Sequence, residues 1–142
     1  EARTYAEEHL WIVSAGAKWG DVSTPGMAKM LDDIAVHKPD QVSNPFFLYG
    51  YSQAWAMDLV LEQAYKNGDL SSKGVLKALA NVGTFDFEGL LPTYKFGANT
   101  KSRVVPNANT IFKYVAKDPS KLTPVSDDSI DFASKFSKDY EY

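Results

Sequence analysis

The chain has 142 residues, 44% of them hydrophobic and 23% charged, with a formal net charge of −3, which fits a single globular domain. That acidic balance gives no electrostatic reason to bind nucleic acid or an anionic membrane. Cysteine is absent, which excludes a disulfide framework, a thiolate nucleophile and a cysteine metal site but leaves an extracytoplasmic location open.

The start, from Glu1 to Tyr5, has no initiator Met, basic segment or apolar core of a signal peptide, so the chain is expected to begin inside a longer sequence. No apolar run approaches the ~20 residues that span a bilayer. Tyr5 to His9 reads as the end of a helix. Leu10, Trp11, Ile12 and Val13 form a short apolar run, predicted to be a buried strand, and Ser14, Ala15 and Gly16 break it.

Thr24 and Pro25 predict a helix start, with Thr as N-cap and Pro in the first turn. Met27, Met30, Leu31, Ile34 and Ala35 then recur at helical spacing on one face, and Pro39 closes the segment. Asn44 and Pro45 mark a turn ahead of the aromatic run Phe46, Phe47, Leu48 and Tyr49. Ser52 is expected to cap a second helix burying Trp55, Ala56, Leu59 and Val60, ended by Asn67 and Gly68. Ser71 caps a third, in which Val75, Leu76, Leu79 and Val82 face inward until Gly83.

Beyond Gly83 the period changes. Thr84, Phe85, Asp86 and Phe87 alternate, Glu88 and Gly89 turn, and Leu90 to Phe96 holds a second extended piece interrupted by Pro92. Residues 97–109 read as loop, and Thr110 to Val115 as the last strand. After Lys117 the chain is polar, with a docked amphipathic helix expected through Ile130, Ala133 and Phe136. Three main helices with a few short strands are too few strands for a closed parallel sheet. An α/β fragment is the fold class expected.

No constellation supports catalysis, and the chain is read as a binder, with no cofactor and no metal. His9 and His37 are far apart, each at a predicted helix end, where imidazole is favoured without any ligand role. Asp32 with Asp33, and Asp127 with Asp128, are adjacent and diverge on a helix, unlike an acid–base pair. Neither a nucleophile elbow nor a phosphate-binding glycine loop occurs. The informative cluster is aromatic: Phe46, Phe47, Tyr49, Tyr51 and Trp55 crowd one loop-to-helix junction, and Trp19 sits in the loop Lys18 to Asp21. Such residues wall small-solute pockets, and they equally fill cores.

The stretch from Pro45 to Ala54 resembles the "aromatic–x–x–Gly-Tyr–x–x–Ala" segment of type I periplasmic solute-binding proteins of ABC transporters. Leu61 to Ser71, Gly74 to Leu79 and Phe85 to Leu91 resemble the segments that follow in that family. Trp19 to Met27 is similar to the "W-G-D-D-T-P-G-M" of its branched-chain amino-acid receptors. The resemblance implies two α/β lobes closing on an amino-acid-like solute that a membrane permease then accepts. It implies a periplasmic or lipoprotein location, and that this chain is the C-terminal portion carrying one wall of the site. On it, residues 1–16 end one lobe, 17–82 are the helical part of lobe one, 83–116 hold a crossover and strands of lobe two, and 117–142 are a polar tail. Residues near 13–17 and 82–92 are the candidate crossovers. Phe46, Tyr49, Tyr51 and Trp19 are the expected ligand contacts. A fragment with uncovered helix faces is expected to dimerise or swap elements. The alternative is a ligand-sensing domain of a signalling receptor with the same fold.

Overall fold

In the computed structural model, residues 2–103, 108–117, 122–124 and 130–131 are described. Helix α1 (Ala2–His9) leads into strand β1 (Trp11–Ser14), which pairs antiparallel with β4 (Ala108–Tyr114), Val13 opposite Ile111. A hydrogen bond from Ala116 N to Glu7 Oε1 (2.9 Å) ties α1 to the end of that pair. Two shorter strands also pair with β4: β5 (Leu122–Pro124) and β6 (Ile130–Asp131).

Between β1 and β4 the chain builds a second layer. Helices α2 (Pro25–His37), α3 (Pro45–Lys66) and α4 (Ser72–Asn81) pack with a two-stranded hairpin of β2 (Gly83–Phe85) and β3 (Tyr94–Phe96). The core lies here. Met27, Met30 and Ile34 of α2 meet Leu48, Val60 and Ala64 of α3, Ala78 of α4, and Phe85, Phe87 and Leu90. Each large side chain so buried stabilises the fold by about 1.5–3 kcal/mol before entropy is counted. Phe85 stacks on Tyr94 at 5.0 Å between ring centroids and meets Phe96 edge-on at 6.3 Å, which fixes the hairpin register by its aromatic side.

Several sequence expectations change in the folded chain. The second helix begins at Pro45, not Ser52, because Asn44 Oδ1 accepts a hydrogen bond from Phe46 N (2.9 Å) and Pro45 supplies the first turn. The aromatic run from Phe46 to Tyr49 therefore belongs to the helix and does not precede it. Ser52 is buried inside α3, its hydroxyl donating to Leu48 O at 2.9 Å. Strand β1 is not buried: Trp11 and Val13 are exposed, since β4 flanks it on one edge and nothing described covers that face. Leu76, expected inside, is 67% exposed, and Ala35 is exposed too. Residues 122–124 and 130–131, assigned to a polar tail, join β4 as strands. Ile130 is thus in β6 and not in a helix, while Ala133 and Phe136 lie outside the described residues.

Candidate functional site

The chain leaves the β1 pair through residues 15–17 and runs against the turn that follows Phe87. Ala17 N donates to Leu90 O (3.0 Å), and Gly26 N at the start of α2 donates to Glu88 O (2.9 Å). The turn reverses through two left-handed residues, Glu88 at φ 52° and Gly89 at φ 85°. These bonds frame a hollow of about 500 Å³ between the β1–β4 pair and the helical layer. Gly16 and Leu91 form part of its floor, and a side chain at Gly16 is limited by Leu48 Cδ2, which lies 3.1 Å from where its Cβ would stand.

Polar groups on this hollow come from three segments. Lys18, Asp21 and Thr24 project from the loop before α2, Thr93 from the approach to β3, and Thr110 from β4. Asp21 is held in place: its carboxylate accepts from Ser23 Oγ (2.5 Å), Ser23 N (3.1 Å) and Thr24 Oγ1 (3.3 Å). The Ser23 hydroxyl above all holds its pKa below the ordinary carboxylate value; burial opposes it, and the Ser23 amide, Thr24 and the nearby Lys18 charge add to the lowering. The wall therefore presents a fixed carboxylate, a lysine and threonine hydroxyls over an apolar floor that includes Phe112. A surface of this kind can hold a small polar solute by hydrogen bonds and charge. Among the described residues no group of three or more His, Cys, Asp or Glu side chains converges on a metal position.

A second hollow, of about 310 Å³, lies between α3 and the β2–β3 hairpin, with a nearly all-carbon lining that includes Tyr49, Met57, Val60, Leu79, Phe85 and Phe96. Leu91 borders both hollows.

Helical geometry distributes the aromatic cluster around α3 instead of gathering it. Trp19 rests edge-on against Phe47 at 6.2 Å. Phe46 is 81% exposed at the first turn, and Tyr49 borders the apolar hollow. Tyr51 donates its hydroxyl to Asp33 and meets Trp55 edge-on at 6.1 Å. Trp55 in turn carries Lys29 Nζ over its ring at 4.0 Å. None of Trp19, Phe46, Tyr49 and Tyr51 lines the larger hollow. Lys18, Asp21, Thr24, Thr93 and Thr110, which do, were not singled out from sequence. For Asp21 and Thr24 the local signal is an Asp two and three residues ahead of hydroxyls at a helix start; Lys18, Thr93 and Thr110 carry none.

Comparison with known proteins adds a fold likeness. No protein-family model and no curated protein matches the chain. Among solved structures, a fatty acid ABC transporter substrate-binding protein from Thermomonospora curvata superposes with a TM-score of 0.70 at 23% identity. The alignment covers 92% of this chain and 32% of that one, so the chain spans about a third of that protein's length. The chain is an α/β unit corresponding to part of a periplasmic-binding-protein-like fold.

Proposed function

We propose that this chain forms one wall of the solute site in the extracytoplasmic solute-binding component of an ABC transporter, which delivers its solute to a membrane permease. The observation that carries this reading is the position of the larger hollow, between the β1–β4 pair and the helical layer, at the segment where the chain passes from one to the other. Ligands that bridge two such parts favour the closed arrangement of a hinged protein. The fold likeness supports the reading. On it, residues 15–17 form one crossing, from the β1–β4 pair into the helical layer.

For the solute, an amino-acid-like zwitterion fits the wall better than a simple fatty acid, the ligand named for the structural neighbour. Asp21 is an acceptor for an ammonium group and repels a lone carboxylate, while Lys18 on the same wall complements the carboxylate. Trp19 and Phe46 join the proposed contacts, Trp19 because it adjoins Lys18 and Phe46 because its ring is uncovered. Tyr49 and Tyr51 join on the sequence resemblance.

The test is calorimetric titration of the whole encoded polypeptide with branched-chain amino acids and, separately, with medium-chain fatty acids. Binding of the amino acid, weakened roughly tenfold or more by Asp21→Asn, is the expected result. Fatty-acid binding unaffected by Asp21→Asn, with no amino-acid binding, overturns the assignment of the solute.

A further inference from the structure

Helix α3 ends in a paired hydrogen-bond closure. Asn67 is its C-cap, and Gly68 follows in the left-handed region at φ 73° before the chain enters the loop to α4. Gly68 N donates to Tyr65 O (2.9 Å), and Asp69 N reaches further back to Ala64 O (3.1 Å). This pair of bonds satisfies carbonyls that the helix end would otherwise leave open, and glycine suits the left-handed position because it has no Cβ. The Asn67 side chain is held as well, its Oδ1 accepting from Gln63 Nε2 at 3.0 Å. Asn67 and Gly68 are both exposed.

The same two residues are chemically reactive. The side-chain amide carbon of an asparagine is open to attack by the backbone nitrogen of the next residue, and glycine hinders that approach least. Asn67 is the only asparagine in the chain followed by glycine. We infer that Asn67 is a deamidation site, held back in the folded protein by the closure at the end of α3. In the reaction Gly68 N gives up its proton to solvent and bonds to Asn67 Cγ, and the Cγ–Nδ2 bond breaks to release ammonia. Water then opens the cyclic imide, leaving aspartate or isoaspartate at position 67.

The folded geometry opposes the first step in two ways. At ψ −7° the Gly68 nitrogen eclipses the backbone nitrogen of Asn67 and not its Cβ, so it stands turned from the side chain it must attack. Its proton is also engaged by Tyr65 O. Attack therefore waits until the last turn of α3 opens. Gln63 adds a weaker hold, that of an exposed i, i+4 side-chain pair.

The products differ in their reach. Asp69 lies so close to Gly74 in the first turn of α4 that a Cβ there would overlap the Asp69 carbonyl, and Ser71, the cap of α4, donates its N to Asp69 Oδ1 (3.0 Å). Isoaspartate adds a carbon to the main chain and shifts Asp69 out of register with Ala64 O, so it loosens the α3–α4 connection. Aspartate keeps the backbone and both closing bonds.

The experiment is incubation of the whole encoded polypeptide at mildly alkaline pH, native and in guanidinium chloride, with aspartate and isoaspartate at each asparagine position quantified by peptide chromatography and mass spectrometry. In denaturant Asn67 should react before every other asparagine of this chain, and in the native protein roughly tenfold or more slowly than in denaturant. Gln63→Ala should raise the native rate roughly twofold and leave the denatured rate unchanged. Amide hydrogen exchange across residues 64–74 should be faster in the isolated isoaspartyl protein than in the parent, and unchanged in Asn67→Asp. Another asparagine reacting first in denaturant overturns the site. Equal native and denatured rates at Asn67, or a Gln63→Ala effect of the same size in both states, overturn the restraint by the fold. Unchanged exchange in the isoaspartyl protein overturns the coupling to α4.

Discussion

The Tyr51 hydroxyl donates to the Asp33 carboxylate, joining the middle of α3 to the middle of α2. The bond spans two helices that also meet through the apolar core and through Lys29 over the Trp55 ring, and its directionality helps to fix their relative rotation. Burial, and then the hydrogen bond and charge of Asp33, push the Tyr51 phenol above its ordinary value of 10.0, and burial also raises Tyr94. Tyr51 and Tyr94 should each ionise late in an absorbance titration near 295 nm. Because their folded pKa values are raised, the stability they add is complete below about pH 10 and falls as pH climbs beyond it. Tyr51→Phe should cost about 1 kcal/mol in urea denaturation at pH 7, the bond being partly solvent-exposed. It should also remove one of the two late phenol titrations and leave that of Tyr94.

The helix starts differ in how they are capped. Ser71 Oγ accepts from Gly74 N at 3.1 Å, so Ser71→Ala should lower stability by about 1 kcal/mol. Thr24 occupies the same position before α2 without a side-chain cap bond, its hydroxyl donating instead to Asp21. Thr24→Ala should therefore cost less than Ser71→Ala in matched urea melts. The reverse order would mean that the Thr24 hydroxyl caps α2 in solution.

Those caps show what local sequence carries. The starts at Thr24 and Ser71, the left-handed Gly68 and the reversal at Glu88 and Gly89 all follow from side chains within a few residues of the event. The start of α3 was equally local but masked: Asn44 and Pro45 serve a turn or a helix N-terminus equally well, and five aromatic residues soon afterwards suggested a pocket wall. Strands β5 and β6 could not be read, because Leu122–Pro124 and Ile130–Asp131 are too short for a period and gain their form only from β4. The larger hollow was hidden for the same reason. Lys18, Thr93 and Thr110 become neighbours only when β4 returns to pair with β1.

Gly26 tests the joint between α2 and the 87–90 turn. A Cβ there would overlap Phe87 O and stand 2.8 Å from Leu90 Cβ, and neither the backbone carbonyl nor the fully buried Leu90 can move cheaply. Gly26→Ala should destabilise by about 3 kcal/mol despite the better helix propensity of Ala. Gly50→Ala on the same kind of helix, with nothing within 4 Å of the added carbon, should be neutral or slightly stabilising. The pair of thermal melts separates close backbone approach from a general demand for glycine.

Acid should loosen both loop-to-helix entries. Asp21 and Asp69 are each held below the ordinary 3.8, in both cases chiefly by the side-chain hydroxyl two residues on, Ser23 and Ser71. A carboxylate with a depressed folded pKa adds stability that is complete above its unfolded value and is lost as pH falls through the folded one. The contribution should therefore be full at pH 6 and decline below about pH 4. The informative quantity is the difference between a variant and the parent. The double variant Asp21→Asn with Asp69→Asn keeps an acceptor at each turn but removes its proton uptake. Its urea midpoint should lie below the parent's at pH 6, and the gap should narrow as pH falls below about 4. A gap that stays unchanged as the pH falls would assign the effect to altered hydrogen-bond geometry instead of charge.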